Sequence, residues 1–144
     1  MLVHQILEMK GGQDVVTISS ETSVSDVARL LSEKKIGAVI VSESGQDVQG
    51  IISERDIVRE LGRRGEACLK DQTSALMTKN IISCTRDETA DQVLEKMTKG
   101  RFRHMPVVEN DKMVGLISIG DVVKARLSEL SMEKDALEVM IKGF

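Results

Sequence analysis

The chain has 144 residues, 41% of them hydrophobic and 30% charged, and its 20 Lys and Arg against 23 Asp and Glu leave a formal net charge of −3. That composition is ordinary for a globular protein, while an acidic balance with two Phe and neither Trp nor Tyr lacks the basic groove and stacking rings of a nucleic-acid binder. No stretch approaches the roughly 20 apolar residues of a membrane span, and the start Met1-Leu2-Val3-His4-Gln5-Ile6 has neither the basic nor the apolar region of a signal peptide, so a cytoplasmic location is expected.

After an opening segment from Leu2 to Met9, the first periodic signals are a strand at Val16-Thr17-Ile18 and a helix with Val24, Val27, Leu30 and Leu31 on one face. Ser23 with Asp26 reads as the capping pair that opens this helix. The run from Ala38 to Val41 is short, largely β-branched and bounded by turn residues, which predicts a buried strand. Glu43-Ser44-Gly45-Gln46-Asp47 then turns the chain into a hairpin partner. That partner ends in Gly50-Ile51-Ile52-Ser53-Glu54-Arg55-Asp56-Ile57-Val58, an apolar strand running into a helix start. Arg59, Arg63 and Arg64 around Gly62 suit the far end of that helix, where cations meet the dipole favourably.

The same order then returns. Ile82-Ser83-Cys84 reads as a strand, Thr89 with Gln92 as a capping pair, and Ala90, Val93, Leu94 and Met97 as a helical face. Met105 to Val108 is a strand, Glu109-Asn110-Asp111-Lys112 a turn, and Gly115-Leu116-Ile117-Ser118-Ile119-Gly120-Asp121-Val122-Val123 a second strand-to-helix junction. The early elements repeat at an offset of 66 and the two junctions at 65, because the first hairpin turn is one residue longer than the second. Turns are where such a change costs least. A period of this kind signals tandem modules, here taken as residues 1–70 and 71–144.

In both copies Ser-x-x-Asp holds a hydroxyl and a carboxylate where an apolar strand meets a helix start. One such junction is often only a helix cap, but two in register point to a duplicated small-ligand site. Catalytic signatures are missing: there is no HExxH, GxGxxG, GxSxG or phosphate loop, and His4 and His104 make no metal-ligand spacing. The sequence therefore reads as a non-enzyme without a metal site. Cys68 and Cys84 lack CxxC spacing and read as buried apolar thiols.

Duplicated units ending in G-h-h-[ST]-x-x-D, with a Pro-Val-Val strand in the second copy and Met77-Thr78 ahead of it, resemble a tandem pair of cystathionine-β-synthase-type (CBS) domains, a Bateman module, over about residues 13–128. The resemblance implies an α/β (α+β) fold of two β-α-β-β-α modules packed about a pseudo-two-fold axis. It implies clefts between them that take adenosine-containing ligands such as AMP, ATP, NAD(H) or S-adenosylmethionine. Carried onto this chain, Asp56 and Asp121 would accept hydrogen bonds from the ribose hydroxyls, since a carboxylate is acceptor-only and can engage a vicinal diol. Ser53 and Ser118 would meet ribose or phosphate beside a helix N-terminus that favours anions.

The copies differ. Arg55 precedes Asp56 and can offer a guanidinium to phosphate, whereas Gly120 precedes Asp121. The resemblance further makes Ile36, Gly37 and Ala38 an adenine wall, Arg103 and His104 phosphate contacts, and Val16 and Ile82 apolar and backbone contacts to each base. His104 could equally be structural, Lys35 and Arg101 read as surface charges, and glycines 37, 50, 115 and 120 could serve turns or bulges only.

The leading expectation is a ligand-sensing regulator acting on an unidentified protein. The alternative is a ligand-independent dimerisation or assembly module. For that reading the tail after Val123, with Ala125, Leu127, Leu130, Met132, Leu137, Met140 and Ile141, predicts one long amphipathic helix broken at most near Ser131. Since pairs of this family commonly dimerise, a homodimer is expected, with both chain ends contributing contacts.

Overall fold

The computed structural model describes residues 1–11 and 15–143. They form α1 (Val3–Met9), β1 (Thr17–Ile18), α2 (Val24–Lys34), β2 (Ala38–Val41), β3 (Gly50–Ser53) and α3 (Glu54–Arg64). A 3-10 turn over Gly65–Lys70 leads to α4 (Thr73–Leu76), α5 (Ala90–Gly100), β4 (His104–Glu109), β5 (Lys112–Ser118) and α6 (Ile119–Lys142). The fold is the expected mixture of helices and strands.

These elements gather into two compact units that interleave along the chain. One holds residues 15–82 with the hairpin tip 109–114; the other holds residues 1–11, 83–108 and 115–143. The first repeat is completed by the segment that follows it, α4, whereas the second is completed by α1, which lies on the far side of the first repeat in sequence. In the unit of the first repeat, Thr73 N–H donates to Thr22 C=O at 2.8 Å and Val24 N–H to Asp71 C=O at 2.9 Å, which seats α4 at the start of α2. In the unit of the second repeat, Val3 N–H donates to Glu88 C=O and Ala90 N–H to Met1 C=O, both at 2.9 Å, which seats α1 at the start of α5 in the same way.

Both β3 and β5 carry a glycine where that segment crosses. A Cβ on Gly50 would stand 2.6 Å from Met77 Sδ, and one on Gly115 would stand 2.8 Å from a Leu7 methyl. The missing Cβ lets the crossing segment approach closely at both positions. Met77-Thr78 accordingly lies against the first repeat: Ile51 and Thr78 exchange backbone hydrogen bonds of 3.0 and 2.8 Å.

Within the first unit β1 runs parallel to β2, and β2 pairs antiparallel with β3 from Ala38↔Ser53 to Val41↔Gly50. Val24, Val27 and Leu31 of α2 close one side of a core with Val39, Val41, Ile52, Ile57 and Leu76. The second unit builds its core from Val3, Ile6, Val93, Met97, Met105, Val107, Ile117 and Val122, with Cys84 among them. Both cysteines are free and buried, and burial pushes the Cys84 thiol up to about 12.

The strand expected at Ile82-Ser83-Cys84 is reduced to one parallel bridge, Cys84↔Val107. Its equivalent, β1, is held at two points, Ile40 N–H on Val16 C=O and Ser42 N–H on Ile18 C=O. The residue matching Ile40 is Pro106, which has no N–H to give, so half of the ladder is lost. The β4–β5 turn is tight because Asn110 and Asp111 both take positive φ, 53° and 63°, as a two-residue hairpin turn requires. Lys35 and Arg101 end α2 and α5 in the left-handed conformation, each with φ 55°.

Candidate functional site

In each repeat the strand-to-helix junction is locked by reciprocal hydrogen bonds. Ser53 Oγ accepts from Asp56 N–H at 3.3 Å while Asp56 Oδ2 accepts from Ser53 N–H at 2.9 Å and from its hydroxyl at 3.0 Å. Ser118 Oγ accepts from Asp121 N–H at 3.1 Å, and Asp121 Oδ2 accepts from Ser118 N–H at 2.9 Å. Both are capping boxes with an acidic third residue. The capping reading of Ser-x-x-Asp is thus realised in both copies, and it orients each carboxylate beside the open first turn of a helix.

The middle strands are tied to the same junctions. Glu54 N–H donates to Gly37 C=O at 2.9 Å, and Ile119 N–H donates to Arg103 C=O at 2.8 Å. The first unit thereby brings Gly37 and Ala38 next to Ser53 and Asp56, with Val16 bonded to β2 and Ile36 packed on the same core. Asp56 is nearly buried and Ala38 fully so, whereas Arg55 is exposed. The second unit brings Arg103 and His104 next to Ser118 and Asp121, with Arg103 exposed and His104 half-buried. Ile82 is exposed and falls in the unit of the first repeat, so it is not part of the second repeat's group within its own unit.

Two cations at these junctions escaped the sequence reading. Arg59, assigned to the far end of its helix, reaches back one turn and holds Asp56 Oδ1 at 2.9 Å. Lys10, from the segment after α1, lies 2.9 Å from Asp121 Oδ2 and donates to Leu116 C=O at 2.8 Å. Half-burial pushes the Asp121 carboxyl up, but the Ser118 N–H and the Lys10 ammonium outweigh it and hold the group below the usual carboxylate range. The i, i+3 spacing of Asp56 and Arg59 is a helix-neighbour signal that could have been read. Lys10 was not legible, because 111 positions separate it from Asp121. Arg63 and Arg64 do occupy the last turn of α3, both paired to Glu60.

Each unit thus offers an acceptor carboxylate, a serine hydroxyl, a helix N-terminus and a cation within one small region. Among the described residues no cluster of His, Cys, Asp or Glu could hold a metal ion, and no described helix is long and apolar enough to cross a membrane. The model for the CBS domain matches residues 9–63 and again 73–128.

The chain belongs to the CBS-domain family.

Solved structures of CBS proteins share its fold. A CBS-domain protein from Agrobacterium tumefaciens is 47% identical, with a TM-score of 0.84 over 88% of this chain and 99% of that one. The CBS domain pair of protein MJ0100, solved with 5′-methylthioadenosine and S-adenosyl-L-methionine, is 25% identical, with a TM-score of 0.77 over 90% of this chain and 98% of that one. Among curated relatives, the mitochondrial CBS-domain protein CBSX3 of Arabidopsis thaliana is 31% identical over 129 residues, 87% of this chain and 63% of its own length. Another Arabidopsis protein, CBSCBSPB2, is 34% identical over 122 residues but is spanned to only 22% of its length.

Proposed function

We propose that the chain is a cytoplasmic ligand-sensing regulator whose two CBS domains each bind an adenosine-containing nucleotide, AMP, ATP or NAD(H), at the Ser-x-x-Asp junction. The observation that carries this reading is that both copies aim a capping carboxylate and a cation at the same helix start, 2.9 Å apart in each. A diol would take the remaining acceptor positions of Asp121, of which Ser118 and Lys10 use two of about four. In the first repeat Arg59 holds the outer oxygen of Asp56 through a side chain that is 60% exposed. It can turn to a phosphate while ribose replaces it on the carboxylate. Ile36, Gly37 and Ala38 would wall the base in the first site, and Arg103 and His104 would meet phosphate in the second. The methylthioadenosine and S-adenosylmethionine bound by protein MJ0100 support an adenosine moiety as the shared element. Occupancy would alter the affinity of a regulated protein, with no catalysis by the chain itself.

The test is a thermal-shift panel of AMP, ADP, ATP, NAD, NADH and S-adenosylmethionine on nucleotide-free protein, followed by circular dichroism because Trp and Tyr are absent. A ligand at about 100 times its dissociation constant adds roughly 2.7 kcal/mol, several degrees for a chain of this size. Asp56→Ala and Asp121→Ala should each remove one site, at a capping cost of about 1 kcal/mol in the free protein. Equal titrations for the wild type and both variants would sink the assignment. The exposed apolar residues of α6 favour a second reading, assembly into a homodimer with or without a ligand.

A further inference from the structure

Among the described residues, most of the exposed large apolar side chains lie on α6. Its buried residues are Val122 and Ala125, and every residue from 131 to 143 is exposed. Isolated helices below about 12–15 residues are marginal in water, so this protruding half needs a surface to lie on. Exposed Val123, Leu127, Leu130, Leu137 and Ile141 supply one. Together with Lys134 they advance along the helix by steps of four and three in strict alternation. That is the 3.5-residue period of a coiled-coil seam, with Leu127, Lys134 and Ile141 at one class of core position and Val123, Leu130 and Leu137 at the other.

We propose that α6 pairs antiparallel with α6 of a second copy of this chain, in the register that sets Val123 against Ile141, Leu127 against Leu137 and Leu130 against Lys134. All three pairs have their midpoint at Met132, so one two-fold axis generates six closed layers, as a self-complementary interface requires. Charge decides the direction. In a parallel pair Lys134 would face its own copy across the core, and Glu133 would face Glu138, so like charges meet at both levels. In the antiparallel register Lys124 flanks Glu138 on both sides, Ser131 meets Ser131, and the two Glu133 carboxylates near the axis have the two Lys134 ammonium groups beside them. The outer face of the exposed half carries Asp135, and that half as a whole holds Glu133, Asp135 and Glu138 against Lys134 and Lys142, which disfavours an anionic membrane as the occupant. Met132 and Val139 stay exposed on that face. The inference rests on self-association of the chain and not on its ligand.

The experiment is sedimentation velocity of the full chain over a range of concentrations, with Leu137→Glu as the disrupting variant. Leu137 is exposed in the free chain, so the change leaves the fold, read by circular dichroism, intact. The wild type should be a dimer whose dissociation constant rises at least tenfold in the variant. A spin label on Lys142→Cys fixes direction, since Cys68 and Cys84 are buried and take no label. Antiparallel pairing puts the two labels about 30 Å apart along the axis at 1.5 Å per residue; parallel pairing puts them within about 20 Å. A dimer unmoved by Leu137→Glu overturns the helix pairing and leaves self-association through another face, and labels at the short distance overturn the antiparallel register. A wild type that is monomeric throughout overturns both, and neither result bears on nucleotide binding.

Discussion

At the scale of single residues, the two carboxylates that the repeat singled out differ in where their cations come from. Arg59 belongs to the same helix as Asp56, but Lys10 reaches Asp121 from the opposite end of the chain. The second pair therefore ties the N-terminal segment to the second repeat. It is partly exposed on both sides, 35% for Lys10 and 23% for Asp121, so its worth is about 1 kcal/mol. Because the folded protein holds the Asp121 carboxyl below its ordinary value of 3.8, the folded state binds fewer protons there than the unfolded chain. The contribution is full above that value and disappears as pH falls through the lowered one. Lys10→Met should cost about 1 kcal/mol in urea unfolding at pH 7 and less at a pH well below 3.8. A loss of equal size at both pH values would mean that Lys10 acts through packing of its methylene chain. The sequence showed which residues carry acceptors, since Ser-x-x-Asp is local, but not which cations they hold, since that depends on long-range closure.

At the scale of elements, the repeat was legible wherever a pattern is local. Both amphipathic helices, both hairpins and both capping pairs lie where periodicity and turn residues put them. The strand at Ile82-Ser83-Cys84 was overread because its apolar pattern matched β1, while the deciding residue, Pro106, sits in the partner strand and withholds a donor there. The tail was read as an amphipathic helix; it is one unbroken helix, but its far half is exposed on every side. Turn or bulge roles are open to the strand glycines from sequence alone, and the structure shows Gly50 and Gly115 lying where the crossing segments approach most closely. Their two neighbourhoods differ in hardness. Around Gly50 a Cβ would meet Met77 Sδ at 2.6 Å and the Thr78 carbonyl at 3.1 Å, whereas around Gly115 it would meet only Leu7 side-chain atoms. Gly50→Ala should therefore cost about 1–3 kcal/mol and Gly115→Ala less, since a leucine can change rotamer and a backbone carbonyl cannot. Denaturant midpoints of the two variants give the order, and the reverse order would contradict the crossing geometry.

At the scale of the whole molecule, duplication fixes how the chain is divided. Each repeat lacks one edge of its core, and the segment that completes it precedes the other repeat in sequence, as α1 does for the second and α4 for the first. No local pattern in the sequence reports the crossing of α1, because α1 is short and lies next in sequence to the repeat that it does not complete. The consequence is a division of stability that ignores linear order. Val3 and Ile6 are wholly buried in the second repeat's core, with Val93, Met97, Met105 and Ile117. Ile6→Ala should therefore destabilise that unit by about 2–5 kcal/mol, although the mutation lies at the other end of the chain. Local opening follows cooperative units and not sequence neighbourhood. Hydrogen exchange in the variant should accelerate over α5, β4 and the second half of β5, while β2 and β3 keep their protection. Acceleration centred on β1 and α2, the elements that follow Ile6 in sequence, would show that α1 serves the first repeat and would break the assignment of α1 on which the division rests.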